Sequence, residues 1–220
     1  MDKPVTVTNQ PTNTAELIAN ALHTDILQGK LKSKQPLRQD ELALQFGVSK
    51  IPIREALYQL KTEGLVTFTP NRGATVAALS AAEVDEIYTM RIALETVALQ
   101  RAIPYLTIAN LTQAEAILKT IDQETDLARW GELNWQFHAT LYAPAGLPRL
   151  LAWVATLHVN VVRYLVNDLV GFNYQATSQT QHRALLEACR QGDIPLATSI
   201  LTQHLQAASN QLTTFLTQSG

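Results

Sequence analysis

Residues 36–76 read "PLRQDELALQFGVSKIPIREALYQLKTEGLVTFTPNRGATV", and the changes of pattern inside this stretch decide the fold. "RQDELALQF" carries a short helical pattern closed by Gly47, a residue at home in the left-handed conformation that ends helices. Two residues later Ser49 stands where an N-cap belongs, ahead of a second helical run, "KIPIREALYQLKTE", that stops at Gly64. Pro52 falls in the first turn of that helix, where the missing N–H costs little. Beyond Gly64 the helical period gives way to alternation. "LVTFT" and "ATVAAL" are short β-branched runs around "PNRG", whose Pro70, Asn71 and Gly73 favour a turn. The stretch predicts helix, three-residue turn "GVS", helix and hairpin.

Upstream, a helical pattern runs from about Thr14 to Gln28, with Leu17, Ile18, Ala21, Leu22 and Ile26 spaced to share a face, and stops at Gly29. "KLKSKQPL" reads as a loop, and residues 1–13, polar with two prolines, as a mobile arm. Three short helices and a hairpin make the plan of a winged helix-turn-helix. Downstream, "SAAE" (Ser80 to Glu83) is a capping box that opens a long helix towards Ile103, broken at Pro104. Further helices are predicted at roughly 108–126, 131–142, 147–170, 174–191 and 193–217, divided by Gly131, "PAGLP", Gly171 and Gly192–Asp193. No strand pattern and no internal repeat interrupts them. The expected fold class is mainly α. A winged helix-turn-helix domain covers 1–78, and an all-helical bundle of about six helices covers 79–220.

Bulk properties exclude several classes. A hydrophobic content of 46 % over 220 residues is enough for real cores. A single cysteine, Cys189, excludes an internal disulfide framework and points to a reducing compartment. The opening residues carry no apolar signal-peptide core. The longest apolar stretch, Leu150 to Val162, is interrupted by His158 and Asn160 and is shorter than the roughly 20 residues a bilayer needs. These features predict a soluble, cytoplasmic protein. The net charge of −2 is unevenly spread. Residues 1–78 hold nine Lys/Arg against seven Asp/Glu (+2), and residues 79–220 hold eight against twelve (−4). A basic reader joined to an acidic body suits a nucleic-acid binder, though the asymmetry is small.

In a helix-turn-helix the N-terminal residues of the second helix reach base edges. Lys50 and Arg54, four apart, share a helix face and point into one groove. Arg54 can fork onto a guanine edge, while Lys50 acts as a mobile point charge. Ser49 can donate to a phosphate, and Arg72 at the wing tip can touch phosphate or enter the minor groove. The plain alternative is that Lys50, Arg54 and Lys61 only solvate an exposed helix. It leaves the turn, the cap and the second basic tip unexplained.

This stretch resembles the DNA-binding domain of the GntR family. The family pattern is matched at Leu42–Ala43, Gly47–Ser49, Pro52–Leu57, Leu60, Glu63–Val66 and Arg72–Gly73. The resemblance implies DNA contacts from Arg38, Ser49, Lys50, Arg54, Arg72 and Gly73. Lys50 stands where the family usually has Arg, which bears on guanine recognition and operator preference.

The downstream half contains "LNWQFHATLY", "QHRALLEACRQGD" and "LTQHLQ". Asn134 and His138 share a helix face, and His182 and His204 lie on two other helices. Three imidazoles can converge inside a bundle, where they suit Zn, Ni, Cu or Fe. Asn134 could add a carbonyl oxygen and leave positions open for water or an organic acid. Spacing alone leaves surface or hydrogen-bonded core histidines as the alternative, and His23 and His158 are given no role. Residues 81–212 resemble the ligand-binding, FCD-type domain of the FadR branch. Arg91 with Glu95, Phe137–His138, His182, Ala188, Gly192–Asp193, Ala197 and His204 carry the likeness. It implies a divalent metal, Zn or Ni, on His138, His182 and His204. Asn134 replaces the usual Asp, and a neutral amide is the poorer ligand. An effector with a carboxylate would bind the ion, with Arg91 and Arg163 as further contacts. The alternative for Arg91 is an ordinary helix-surface pair with Glu95.

Together these readings give a homodimeric regulator on a palindromic DNA operator, controlled by a small organic acid. A second reading keeps the DNA binding but makes the helical domain vestigial, without metal or ligand. A hydrolytic zinc enzyme would need a general base in the pocket, and only Glu132 and Glu187 stand beside the ligand segments. The expectation is that the chain is not an enzyme.

Overall fold

The computed structural model describes residues 14–70, 73–167 and 174–219. The predicted mobile arm, the wing tip with Arg72, and the last turn of the helix expected to reach residue 170 lie outside them. The chain forms two compact units that divide between Ala77 and Ala78, with the short segment Leu27–Gly29 grouped with the second.

The first unit opens with α1 (Thr14–Leu27), followed by β1 (Pro36–Leu37), α2 (Gln39–Phe46), α3 (Lys50–Thr62), β2 (Val66–Thr69) and β3 (Gly73–Val76). The buried stripe of α1 is Ala15, Ile18, Ala19, Leu22 and Ile26. That is one position round from the expected face: Ala21 is exposed and Leu17 is 56 % exposed. Gly47 ends α2 at φ 65°, in the left-handed region where a side chain would be strained. The three strands form an antiparallel sheet in the order β1-β3-β2, with Val66 opposite Val76 and Phe68 opposite Ala74. β1 falls inside the expected loop. It has two residues, begins on a proline and pairs Leu37 with Ala74, too short to leave an alternating pattern. β3 ends at Val76, three residues before the expected strand end, because Leu79 donates its N–H to the Tyr164 hydroxyl at 2.9 Å.

The second unit holds α4 (Ala81–Ala102), α5 (Ile108–Ile121), α6 (Leu127–Tyr142), α7 (Pro148–Asn167), α8 (Tyr174–Gln191) and α9 (Ile194–Ser219). Short 3-10 turns at Ile103–Tyr105 and Ala143–Ala145 follow α4 and α6. The Ser80/Glu83 capping box forms as expected, and Thr107 with Asn110 makes a second, reciprocal box at the start of α5. The α5–α6 junction differs from expectation. α5 stops at Ile121, and Gly131 lies buried inside α6 rather than between helices. The Glu124 carboxylate accepts from the N–H groups of Thr125 and Asp126, and these local bonds make the turn. α4 packs against α9, α7 and α6, while α5 and α8 close the outer side. The core is apolar around Leu99, Phe137, Leu141, Val161 and Leu205, but α4 also brings Arg91 and Glu95 into it. No helix among the described residues is long and apolar enough to cross a membrane.

Candidate functional site

Two surfaces carry the chemistry. On α3, Ile53, Ala56, Leu57 and Leu60 face the core of the first unit, which turns Lys50 and Arg54 outwards. Ser49 occupies the N-cap position, but its hydroxyl makes no capping bond and is exposed, free to meet another acceptor. Arg38 and Gly73 are also exposed. Acidic neighbours on α2 engage two of these cations: Lys50 pairs with Asp40, and Arg38 with Glu41 at 3.0 Å. No described residue makes an ion pair with Arg54. Ile51 is 69 % exposed beside them, an apolar side chain at the open end of the helix.

In the second unit, α6, α8 and α9 bring His138, His182 and His204 together. All three are buried, and one nitrogen from each lies within 4.8 Å of the others. Ligands about 2.1 Å from one tetrahedral ion stand about 3.4 Å apart, a spacing that small ring rotations can reach. The other side of each ring is engaged. His138 Nδ1 is 3.2 Å from the Tyr142 hydroxyl, which donates to Glu95 at 2.8 Å. Glu95 in turn accepts from Arg91 Nε at 2.7 Å. His182 Nδ1 meets Gln179 Oε1 at 3.0 Å, and His204 Nδ1 meets Gln181 Oε1 at 2.9 Å. Because Tyr142 gives its own proton to Glu95 and amide oxygens only accept, each Nδ1 carries the hydrogen. Each Nε2 then keeps its lone pair.

Electrostatics favour the same state. Burial first, and then the neighbouring imidazoles and Arg91, hold His138 well below its ordinary pKa. Burial, then the field of His204 and Arg183, does the same to His182, and burial with Arg91 pushes His204 down to about 3. The rings are neutral ligands at pH 7. Burial alone would lower the Arg91 pKa, but Glu95 more than offsets it and the guanidinium stays charged. The Arg91–Glu95 pair therefore exists, in the interior rather than on a helix surface. Two atoms fit an absent ligand: His138 Nε2 and Asn134 Oδ1 are buried with no hydrogen-bond partner. An unmatched acceptor in a buried site is costly, and a cation is one remedy. Zn2+ or Ni2+ suits a donor set of three imidazole nitrogens and an amide oxygen.

The chain matches the family model described as bacterial regulatory proteins, gntR family, over residues 14–76, and the FCD domain model over residues 86–207. It is 30 % identical over 210 residues to the HTH-type transcriptional repressor RspR of Escherichia coli K12, covering 92 % of this chain and 90 % of that one. The chain belongs to the GntR family. A GntR family member from Pseudomonas syringae shares 32 % identity in its crystal structure, with TM-score 0.56, over 96 % of this chain and 90 % of that one. McbR/YncC of Escherichia coli shares the fold, at TM-score 0.78 and 23 % identity, over 96 % of this chain and 100 % of that one. As a GntR member with an FCD domain, the protein is a DNA-binding transcriptional regulator and not an enzyme.

Several residues around this GntR member's three histidines were not among the residues singled out in the sequence. Tyr142 and Gln179 lie on the same helix faces as His138 and His182, at i+4 and i−3, and helical spacing could have flagged them. Gln181 reaches His204 from another helix, which spacing cannot show. His158, on α7, is buried, stacks on Trp135 at 4.9 Å, and leaves Nδ1 without a partner. The side chain of Arg163 lies outside the described ones.

Proposed function

We propose that this regulator binds its operator as a homodimer in the cytoplasm and that an anionic small molecule, bound at a divalent ion in the helical unit, controls that binding. The observation that carries the reading is the convergence of three neutral imidazoles, each with Nδ1 engaged and that of His138 with Nε2 unmatched, while Asn134, one turn before His138 on α6, leaves its buried Oδ1 unmatched as well. His138, His182, His204 and Asn134 would hold Zn2+ or Ni2+. The ion supplies a Lewis-acid position for a carboxylate oxygen. Four neutral ligands leave the full charge of the ion uncompensated, and Glu95 already balances Arg91, so a negatively charged effector is favoured. Arg91, His158 and Arg163 are proposed as further contacts for the effector.

DNA contacts are proposed for Arg38, Ser49, Lys50, Arg54, Arg72 and Gly73. In this geometry α3 enters the major groove, and the two copies of a dimer read half-sites about 34 Å apart. Control follows if the loaded helical unit favours one arrangement of the readers over another, since an effector shifts an equilibrium only by its differential affinity. The test is fluorescence anisotropy on the DNA upstream of the gene. Binding is expected to weaken steeply with salt and with Arg54→Ala, and to change when Zn2+ and a panel of organic acids are added. Absent or salt-insensitive binding would overturn the reading.

A further inference from the structure

The hydrogen bonds behind the three histidines are not alike. His138 is backed by a buried set of groups and His204 by a single amide, but the support of His182 leads out to another helix and to the surface. Gln179 on α8 is buried, and its Nε2 donates to Asp122 Oδ1 at 2.8 Å and to the Leu118 carbonyl at 3.3 Å. Both acceptors lie at the C-terminal end of α5. Neither can donate, so the amide nitrogen must face them and Oε1 must face His182. Asp122 is itself held by Arg183, whose Nη2 lies 2.6 Å from both carboxylate oxygens.

The orientation matters because His182 has a competing choice. Ser178 Oγ lies 3.3 Å from His182 Nε2, the nitrogen that would face an ion. A hydroxyl can accept as readily as donate. Were Gln179 free to turn its amide, the ring could place its proton on Nε2, bond to Ser178 and lose the lone pair a metal needs. We propose that Asp122 and Gln179 are positioning residues of the three-histidine centre: the Asp122 carboxylate orients the Gln179 amide, and the amide fixes His182 in the tautomer that can bind a metal. This rests on the metal reading above for its purpose, but not for its measurement.

Gln179→Met removes the amide at similar volume, Asp122→Ala removes its orienting acceptor, and Arg183→Gln removes the ion pair with Asp122 and a 3.5 Å bond to the Gln179 backbone carbonyl while leaving the Gln179 side-chain amide and both its acceptors in place. Two readouts separate positioning from simple packing, each taken on full-length protein whose helicity matches the wild type. Imidazole 15N shifts of metal-free protein report the tautomer. Nδ1–H is expected at His182 in wild type and in Arg183→Gln, with Nε2–H gaining population in the other two. Co2+ affinity, followed through its visible absorption, is expected to fall about ten-fold in Gln179→Met and Asp122→Ala and to stay within about two-fold in Arg183→Gln. An unchanged tautomer and affinity in Gln179→Met overturns the proposal. Equal losses in Arg183→Gln and Asp122→Ala reduce Asp122 to an ion-pair role and overturn its part. A wild-type chain that takes up no Co2+ contradicts the metal reading, while the tautomer measurement still decides this one.

Discussion

Lys50 and Arg54 differ in freedom as well as in chemistry. Asp40 shares the charge of Lys50, whereas no described residue pairs with Arg54 and its donor fork stays available. An exposed pair of this kind adds little to stability, so its consequence lies in binding. Asp40→Asn is expected to free Lys50 for phosphate, strengthening non-specific DNA affinity and steepening its salt dependence by about one unit of log–log slope. An unchanged slope would show that Lys50 meets no phosphate. Ile51 offers a second test. Its exposed side chain suits the thymine methyl group. In a duplex selected from a random pool, replacing contacted thymines by deoxyuridine should weaken wild-type binding about four-fold, the equivalent of roughly 0.8 kcal/mol for one buried carbon. Ile51→Ser should not respond to the same replacement. The histidines set a different expectation. His138, His158, His182 and His204 are all depressed, chiefly by burial, whereas in the unfolded chain each titrates near 6.5. Below that pH the unfolded chain takes up protons that the folded chain refuses. Stability is therefore full above about pH 6.5 and lost as the pH falls towards the folded values, by up to about 1.4 kcal/mol per unit for each ring. The Tm of metal-free protein should hold between about pH 7 and 8 and drop below 6.5. A flat profile down to about pH 5 would contradict buried, neutral rings.

Among the elements, α4 bears the most unusual load, since its buried face alternates apolar residues with Arg91 and Glu95. A paired buried charge is weak evidence of stability, but a broken pair is costly. Glu95→Ala strands the Arg91 guanidinium and removes the acceptor of Tyr142. A loss of about 3–5 kcal/mol is expected in denaturant unfolding, with much of it recovered when Arg91→Met is added. A loss below about 1 kcal/mol would mean that water reaches the pair. Element by element, what could be read in advance depended on how local the determinant is. Ser80 with Glu83, Gly47 and Gly64 act within one turn, and their helix ends were legible. On α1, periodicity favours a face with Leu17 and Ala21, whereas the buried face carries Ala15 and Ala19, whose small side chains give a weaker pattern. Gly131 looked like a break because its spacing says nothing of the bonds made by Glu124. His138, His182 and His204 were linked by family likeness. Their supports were not legible, since Glu95 with Tyr142 and Asp122 with Gln179 meet only through tertiary packing of residues 47 and 57 positions apart.

At the scale of the whole molecule, a winged helix-turn-helix unit is followed by a helical unit in which three buried histidines meet in an arrangement that could hold a metal ion. Cys189 is a buried free thiol, and burial pushes its pKa up to about 12, which leaves little thiolate at neutral pH. Selectivity for an effector would come from the ion together with Arg91 and His158, and His158→Leu should alter the response to organic acids while sparing metal uptake. The proposed control by an effector depends on the ion being held. The most direct test is the metal content of full-length protein equilibrated with Zn2+ and freed of excess by gel filtration. About one ion per chain is expected for the wild type and close to none for folded His138→Ala. A wild type that retains no metal, or a variant that retains as much, would contradict the account.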